Sequence, residues 1–355
     1  MIDPHKAAAR AVVFGLLIAL VACSGPGDTS EPISSDEAVR TLDALVTDAE
    51  TALTGVENDP DLAVVAGFFG GTTTVTPAGV LSPAQLAEPF ELPRGVMVWS
   101  TDTGYAPDEG ATPPAPYDYQ AIGNPSDADA ELLIDWAAGN PTTTLAFAGS
   151  TIELPTDASA VAVVGGETVV EATLTASWEL VEETRCSATA SSLTATSLVF
   201  EVTAGSRTFT ATVATTPDST SLSLELALGG FGADLGFTID EQLRILAEPC
   251  QAGLPLGGAI GTPSSAGLDL GVTSPDHSAA VSATFADIVW NTSVDPVVLA
   301  TFDLTGSLTI DGSEAGTLAG SFDEAASPPF DGSVTFDDKT MTFDEIVDEL
   351  SGTQP

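Results

Sequence analysis

From Val170 to Leu180 apolar and polar side chains alternate without a break. Val170, Ala172, Leu174, Ala176, Trp178 and Leu180 hold one set of positions, and Glu171, Thr173, Thr175, Ser177 and Glu179 hold the other. Only an extended strand, whose successive side chains point to opposite sides, turns that order into one apolar and one wetted face. The same period recurs at Leu198, Phe200 and Val202, at Phe209, Ala211 and Val213, and at Leu222, Leu224, Leu226 and Leu228. It returns at Phe302, Leu304, Leu308 and Ile310, at Leu318 and Phe322, and at Val334 and Phe336. Ala204-Gly205-Ser206 between two of these runs predicts a hairpin, and Asp311-Gly312 and Asp331-Gly332 read as further turns. Thr at many outward positions suits a solvated sheet surface. The fold class is therefore mostly β: an antiparallel meander forming a large curved sheet or an open barrel or sandwich. No fixed-length repeat supports a propeller or solenoid.

One amphipathic helix precedes the strands. Ser34-Ser35-Asp36-Glu37 supplies a cap and an acidic first turn; Val39, Leu42, Leu45, Val46, Ala49 and Leu53 then share one helical face until Gly55. Period two is expected from about Leu62 onward. Short helices are expected over 240–246 and 343–350. Two domains follow from this layout, 34–150 with the helix, some strands and a Pro-rich loop, and 151–355 with the regular meander. A single large sheet wrapped around the N-terminal helix is the alternative.

Charge narrows the function. The 355 residues carry 51 Asp and Glu against 8 Lys and Arg, a formal net charge of −43. Such a surface repels phosphate backbones, so no nucleic-acid partner is expected. His5 and His277 are the two imidazoles, which excludes multi-histidine zinc sites and multi-histidine catalysis. No GxSxG, HExxH or P-loop occurs, so neither an enzyme nor a cofactor is expected. Asp276-His277-Ser278 sets an acid, a base and a hydroxyl side by side, but neighbours on an extended chain do not converge on one point. The paired carboxylates of a glycosidase stay open, because the acids offer too many pairs to choose among. Lysine is confined to Lys6 and Lys339. An acidic, Lys-poor surface suits concentrated salt, where the Debye length falls to about 3 Å at 1 M, or serves solubility alone.

The N-terminus points to a compartment. His5, Lys6 and Arg10 precede the uncharged run Ala11–Ala22, which is too short to span a bilayer and right for a signal h-region. It ends in Leu20-Val21-Ala22-Cys23, which resembles the lipobox of bacterial lipoproteins. The resemblance implies a signal peptide over 1–22, acylation of the Cys23 thiol, and a chain tethered to a membrane outside the cytoplasm by its lipid. Ser24–Ile33 reads as a flexible tether. Leu92-Pro93-Arg94-Gly95-Val96-Met97-Val98-Trp99 and Leu132-Leu133-Ile134-Asp135-Trp136 are similar in style to uncharacterised exported lipoproteins and bring no activity with them.

Cys186 and Cys250 are the other thiols; in an exported chain with no CxxC they read as one disulfide, or else as two buried free thiols. Trp99, Tyr105, Tyr117, Tyr119 and Trp136 crowd a Pro-rich stretch with Asp102, Asp108, Glu109 and Asp118 interleaved. They read either as a stacking patch for a sugar or an apolar ligand, or as anchors pinning a long loop. Asp127, Asp129 and Glu131 offer oxygens at alternate positions, but an EF-hand would need Gly at Leu132 and Glu at Ala138, so no metal is expected and an acidic helix start is expected instead. Asn291-Thr292-Ser293 matches a glycosylation sequon by chance. The leading expectation is a lipid-anchored acidic envelope protein with a non-enzymatic binding or structural role. The alternatives are a carrier of an apolar ligand or lipid on a curved sheet, similar to LolA and LolB, and a carbohydrate-binding or carbohydrate-active protein.

Overall fold

The computed structural model describes residues 33–70, 92–136, 142–147, 150–185, 188–246, 259–260, 262–291, 298–326 and 329–351. Helices α1 (Ser35–Glu57) and α2 (Pro60–Gly70) come first. Then follow β1 (Gly95–Ser100), β2 (Gly104–Pro107), β3 (Tyr119–Ile122), β4 (Glu131–Asp135), β5 (Thr142–Phe147), β6 (Ser150–Pro155) and β7 (Asp157–Val164). The long strands β8 (Glu167–Arg185), β9 (Ala188–Ala204), β10 (Arg207–Thr216), β11 (Ser219–Leu228) and β12 (Phe231–Ile239) precede the short β13 (Arg244–Leu246) and β14 (Ala259–Ile260). The chain continues through β15 (Ala266–Thr273), β16 (Ser278–Asn291), β17 (Val298–Ile310), β18 (Ser313–Asp323), β19 (Phe330–Thr335) and β20 (Thr340–Thr342) to α3 (Phe343–Ser351). The chain is mostly β in unclosed sheet, with one N-terminal amphipathic helix, as the alternation implies. It divides into two compact units. The first combines Met1–Gly55, Asp218–Glu241 and Thr262–Pro355; the second combines Val56–Pro217 and Gln242–Gly261. Residue 150, where the sequence reading placed its division, falls inside the second.

In the first unit β11, β12, β15, β16, β17, β18, β19 and β20 follow one another, each antiparallel to the next. Register aligns apolar residues across the strands, as in Leu224–Leu235–Leu270–Val281–Leu308. Helix α1 lies on that face: Ala38, Leu42, Leu45 and Ala49 are at most 3% exposed and share one core with Leu270, Val281, Leu308, Ile310 and Val334. The buried stripe is centred on Ala38, Leu42, Leu45 and Ala49, while Val39, Val46 and Leu53 flank it. Alanine at two of the four central positions lets the helix approach the sheet closely. Ser34 begins the helix, its hydroxyl accepting the Glu37 N–H. The Ser35 N–H and hydroxyl donate to Asp338 at 2.9 and 2.8 Å, tying the first turn to the β19–β20 connection. At α3, Thr342 and Glu345 cap each other reciprocally, the expected helix at 343–350.

In the second unit the order is β2–β1–β3–β4–β7–β8–β9, and the far edge of β9 is shared by β10 and β13. β14 pairs with β13, and β5 and β6 form a separate hairpin. β1 and β3 are parallel, a departure from the all-antiparallel expectation. The Pro-rich segment between β2 and β3, about a dozen residues long, supplies the crossover that a parallel pair needs.

Four local expectations are corrected. Period two does not begin at Leu62. Asp59 accepts the Asp61 and Leu62 N–H groups and starts α2 there, before an apolar run with no strand partner in register. No helix occupies 240–246, because the Asp240 carboxylate accepts from Ser264 and Ser265 and Arg244–Leu246 forms a strand on β9. Glu131–Asp135 is a strand and not an acidic helix start, because the turn closed by Asn124 returns the chain antiparallel to β3. Asp331-Gly332 is not a turn; both residues lie inside β19, with Gly332 opposite Gly320.

Candidate functional site

The alternation over 170–180 and its two partner runs meet in the second unit as aligned rows. Ala160, Ala172, Val202 and Phe209 form one row across β7, β8, β9 and β10. Ala158, Leu174, Phe200 and Ala211 form the next, and Ala176, Leu198 and Val213 a third. The opposite face carries Glu171–Thr203–Thr208 and Thr173–Glu201–Thr210. Of the apolar rows only Ala176 is buried; Leu174, Leu198, Phe200, Val202, Phe209, Ala211 and Val213 remain half-buried. In the first unit the centre of the comparable row is sealed under α1, with Leu270 and Val281 each 2% exposed, while Leu224 and Leu235 on its β11–β12 side are half-buried. Phe200 and Phe209 meet edge-on with ring centroids 6.4 Å apart. Trp178, farther along β8, is half-buried and donates its indole N–H to the Pro155 carbonyl.

One end of this face closes on α2. The helix packs Val64 and Phe68 against Ala121, Ala130, Tyr105, Tyr119, Leu132 and Val164. The Asn124 amide donates to the Val64 carbonyl and its oxygen accepts the Ser126 and Asp127 N–H groups. At its start, Asp59 pairs with Arg207, which opens β10. The Arg207 hydrogen bond, with help from the Leu62 N–H, holds the Asp59 carboxyl below its ordinary pKa. Beside the pair is a cavity of about 240 Å³ lined by Asp59, Asp61, Leu62, Ala204, Ser206 and Arg207. Neither Asp59 nor Arg207 was singled out from the sequence. The signal was Asp59-Pro60-Asp61, a cap with Pro at the first helical position, masked by the apolar residues that follow.

Of the predicted aromatic patch, Trp99, Tyr105 and Tyr119 gather at β1–β3. Trp99 and Tyr105 face each other across β1–β2 with centroids 5.2 Å apart. The Tyr105 hydroxyl donates to the Gly123 carbonyl, and Tyr105 and Tyr119 pack into the cluster under α2. Burial, and secondarily Tyr119, push the Tyr105 hydroxyl up to about 12; burial also raises Tyr119. Trp136 lies over the chain before β1, its indole donating to the Pro93 carbonyl and its N–H to Asp118. Asp118 and Glu153 both pair with Arg94. Tyr117 belongs to the turn its N–H makes with the Pro114 carbonyl.

Among the other candidates, His277 faces Asp311, 3.3 Å away on the β17–β18 turn, and Ser278 donates its backbone N–H to the same carboxylate. His277 thus takes its carboxylate partner from Asp311. Asp127 accepts the Asp129 N–H in the loop before β4, and Glu131 accepts from Gln120 across β3–β4. Among the described residues no group of three or more Asp, Glu, His or Cys is arranged to hold a metal ion. Among the described residues no helix is long and apolar enough to cross a membrane. Cys23, Cys186, Cys250, Thr292 and Ser293 lie outside the described residues; Asn291 ends β16. No protein-family model, curated protein or solved structure matches the chain.

Proposed function

We propose that the chain is a lipid-anchored acidic protein of a cell envelope that acts by binding, and that the apolar rows of β8, β9 and β10 are its binding surface. The observation that carries this reading is the half-burial of Leu174, Phe200, Val202 and Phe209, which register sets side by side. Apolar area left partly wet is a standing source of binding free energy, at about 25 cal/mol per Å² removed from water. The lipobox residues Leu20-Val21-Ala22-Cys23 support placement at a membrane. The net charge of −43 opposes adsorption to anionic headgroups, so the acyl chains supply the attachment.

Two measurements on protein from a bacterium with lipoprotein processing test the two halves. Intact mass should show an N-terminus at Cys23 carrying acyl mass; a product beginning at Met1 without acyl mass overturns the anchoring. Native mass spectrometry of a full-length Cys23→Ser variant should show a retained apolar molecule, lost in Phe200→Ser. A chain that copurifies with nothing and takes up no amphiphile overturns the binding surface.

A further inference from the structure

The cavity beside Asp59 and the apolar rows belong to one face of the second unit. Arg207 and Ala204 form the last pair of the β9–β10 ladder and both line the cavity. Two residues farther along each strand, and therefore on the same face, the next pair is Val202 with Phe209, then Phe200 with Ala211. A charged recess thus leads directly onto an apolar track.

We infer that this face takes an amphiphile with a cationic head, its ammonium beside Asp59 and Asp61 and its chain along Val202, Phe209, Phe200 and Ala211. The inference rests on the sheet-face reading above and adds the head group. Charge complementarity selects it. Asp59 and Asp61 against Arg207 leave the lining with one negative charge in excess, on a chain of net charge −43. An anionic head would have to take Arg207 from Asp59 and lie against Asp61. The positive end of the α2 dipole works against a cation, but it amounts to about half a charge, is capped by Asp59, and is smaller than the one negative charge in excess. Asp61 is exposed at the cavity rim, available to a head group without breaking the Asp59–Arg207 pair. A cavity of about 240 Å³ has room for a trimethylammonium group with water beside it.

The test is calorimetric titration of the full-length Cys23→Ser protein with decyltrimethylammonium, decyl maltoside and decanoate, each below micelle formation. Salt at about 0.5 M screens diffuse attraction to the acidic surface. Decyltrimethylammonium should saturate one site, with decanoate at least tenfold weaker. Asp61→Asn should weaken the cation about fivefold, the scale of one charge at contact distance. Glu324→Gln, which removes the same charge from an exposed position in the first unit, should leave the affinity unchanged. Equal losses from the two substitutions would mean that the whole surface, and not this cavity, attracts the cation, and would overturn the inference. Phe209→Ser, or Ala211→Asn should the first fail to fold, should weaken all three amphiphiles. If the three bind equally well and respond to these variants, the cationic head falls and the sheet-face reading stands. If no binding responds to them, both fall.

Discussion

Gly332 stands in the middle of β19, and a methyl group built on it would lie 2.3 Å from the Phe343 ring. That ring stacks on Phe330, with centroids 5.6 Å apart, so its retreat would disturb the stacking. Gly332→Ala should therefore destabilise the protein by about 1–3 kcal/mol, the usual cost of overpacking. Chemical denaturation measures the loss, and combining it with Phe343→Leu should recover most of it; an unaffected single variant would show that the ring does not press there. Asp234 presents the opposite case. It stands directly across β11–β12 from Glu225, its carboxylate lies over Gly271, and Asp269 is on the same side two residues away on β15. Burial, then Glu225 and Asp269, raise its pKa. A raised carboxyl pKa means that the folded state holds its proton longer, so stability falls as pH rises from the unfolded-state value through the folded one. Asp234→Asn should raise the melting temperature at pH 7, by on the order of 0.5 kcal/mol in stability. The gain should vanish near pH 3 and shrink in concentrated salt. A gain that persists at pH 3 would rule out charge as its cause.

At the scale of elements, α1 shows how a contact distant in sequence secures a helix whose pattern is visible locally. The period of Leu42, Leu45 and Ala49 and the Ser34 cap were legible, but not that Asp338 binds the first turn. The Ser35 N–H, then its hydroxyl, lower the Asp338 carboxyl below its ordinary range. For a lowered pKa the contribution to stability is fully present above the unfolded value near pH 4 and lost as pH falls through the folded one. Ser35→Ala and Asp338→Asn should each lower the melting temperature at pH 7. Each should also flatten its decline below pH 4, since the linkage they remove acts there; an unchanged acid limb would count against it. Helix α2 was misread for the complementary reason. Leu62, Val64, Val65 and Phe68 are apolar on more than one side, so the run has no periodicity to reveal it. The segment 240–246 failed because Asp240 finds its partners at Ser264 and Ser265, which no local window contains.

At the scale of the whole molecule, the disulfide expected between Cys186 and Cys250, both outside the described residues, is open to a direct chemical test. Protein produced through an export pathway should resist alkylation at both until it is reduced. Cys186→Ser should cost about 4 kcal/mol, the chain-entropy value for a loop of about 65 residues. Labelling of both thiols without reduction would leave them as separate free cysteines.

What the sequence determined by itself was set by order along the chain: strands from a period of two, their wet and apolar faces, α1 from its cap and apolar stripe, and an acidic balance of charge. These follow from neighbours within a few residues, where backbone geometry alone places each side chain. Tertiary structure alone decided which apolar positions α1 seals and which stay half wet. It set Arg207 against Asp59 across nearly 150 residues, and it gave Trp99, Tyr105 and Trp136 their packing partners. Burial and pairing between distant segments depend on which strands become neighbours, and that register is fixed by the summed packing of the sheet and not by any stretch of it.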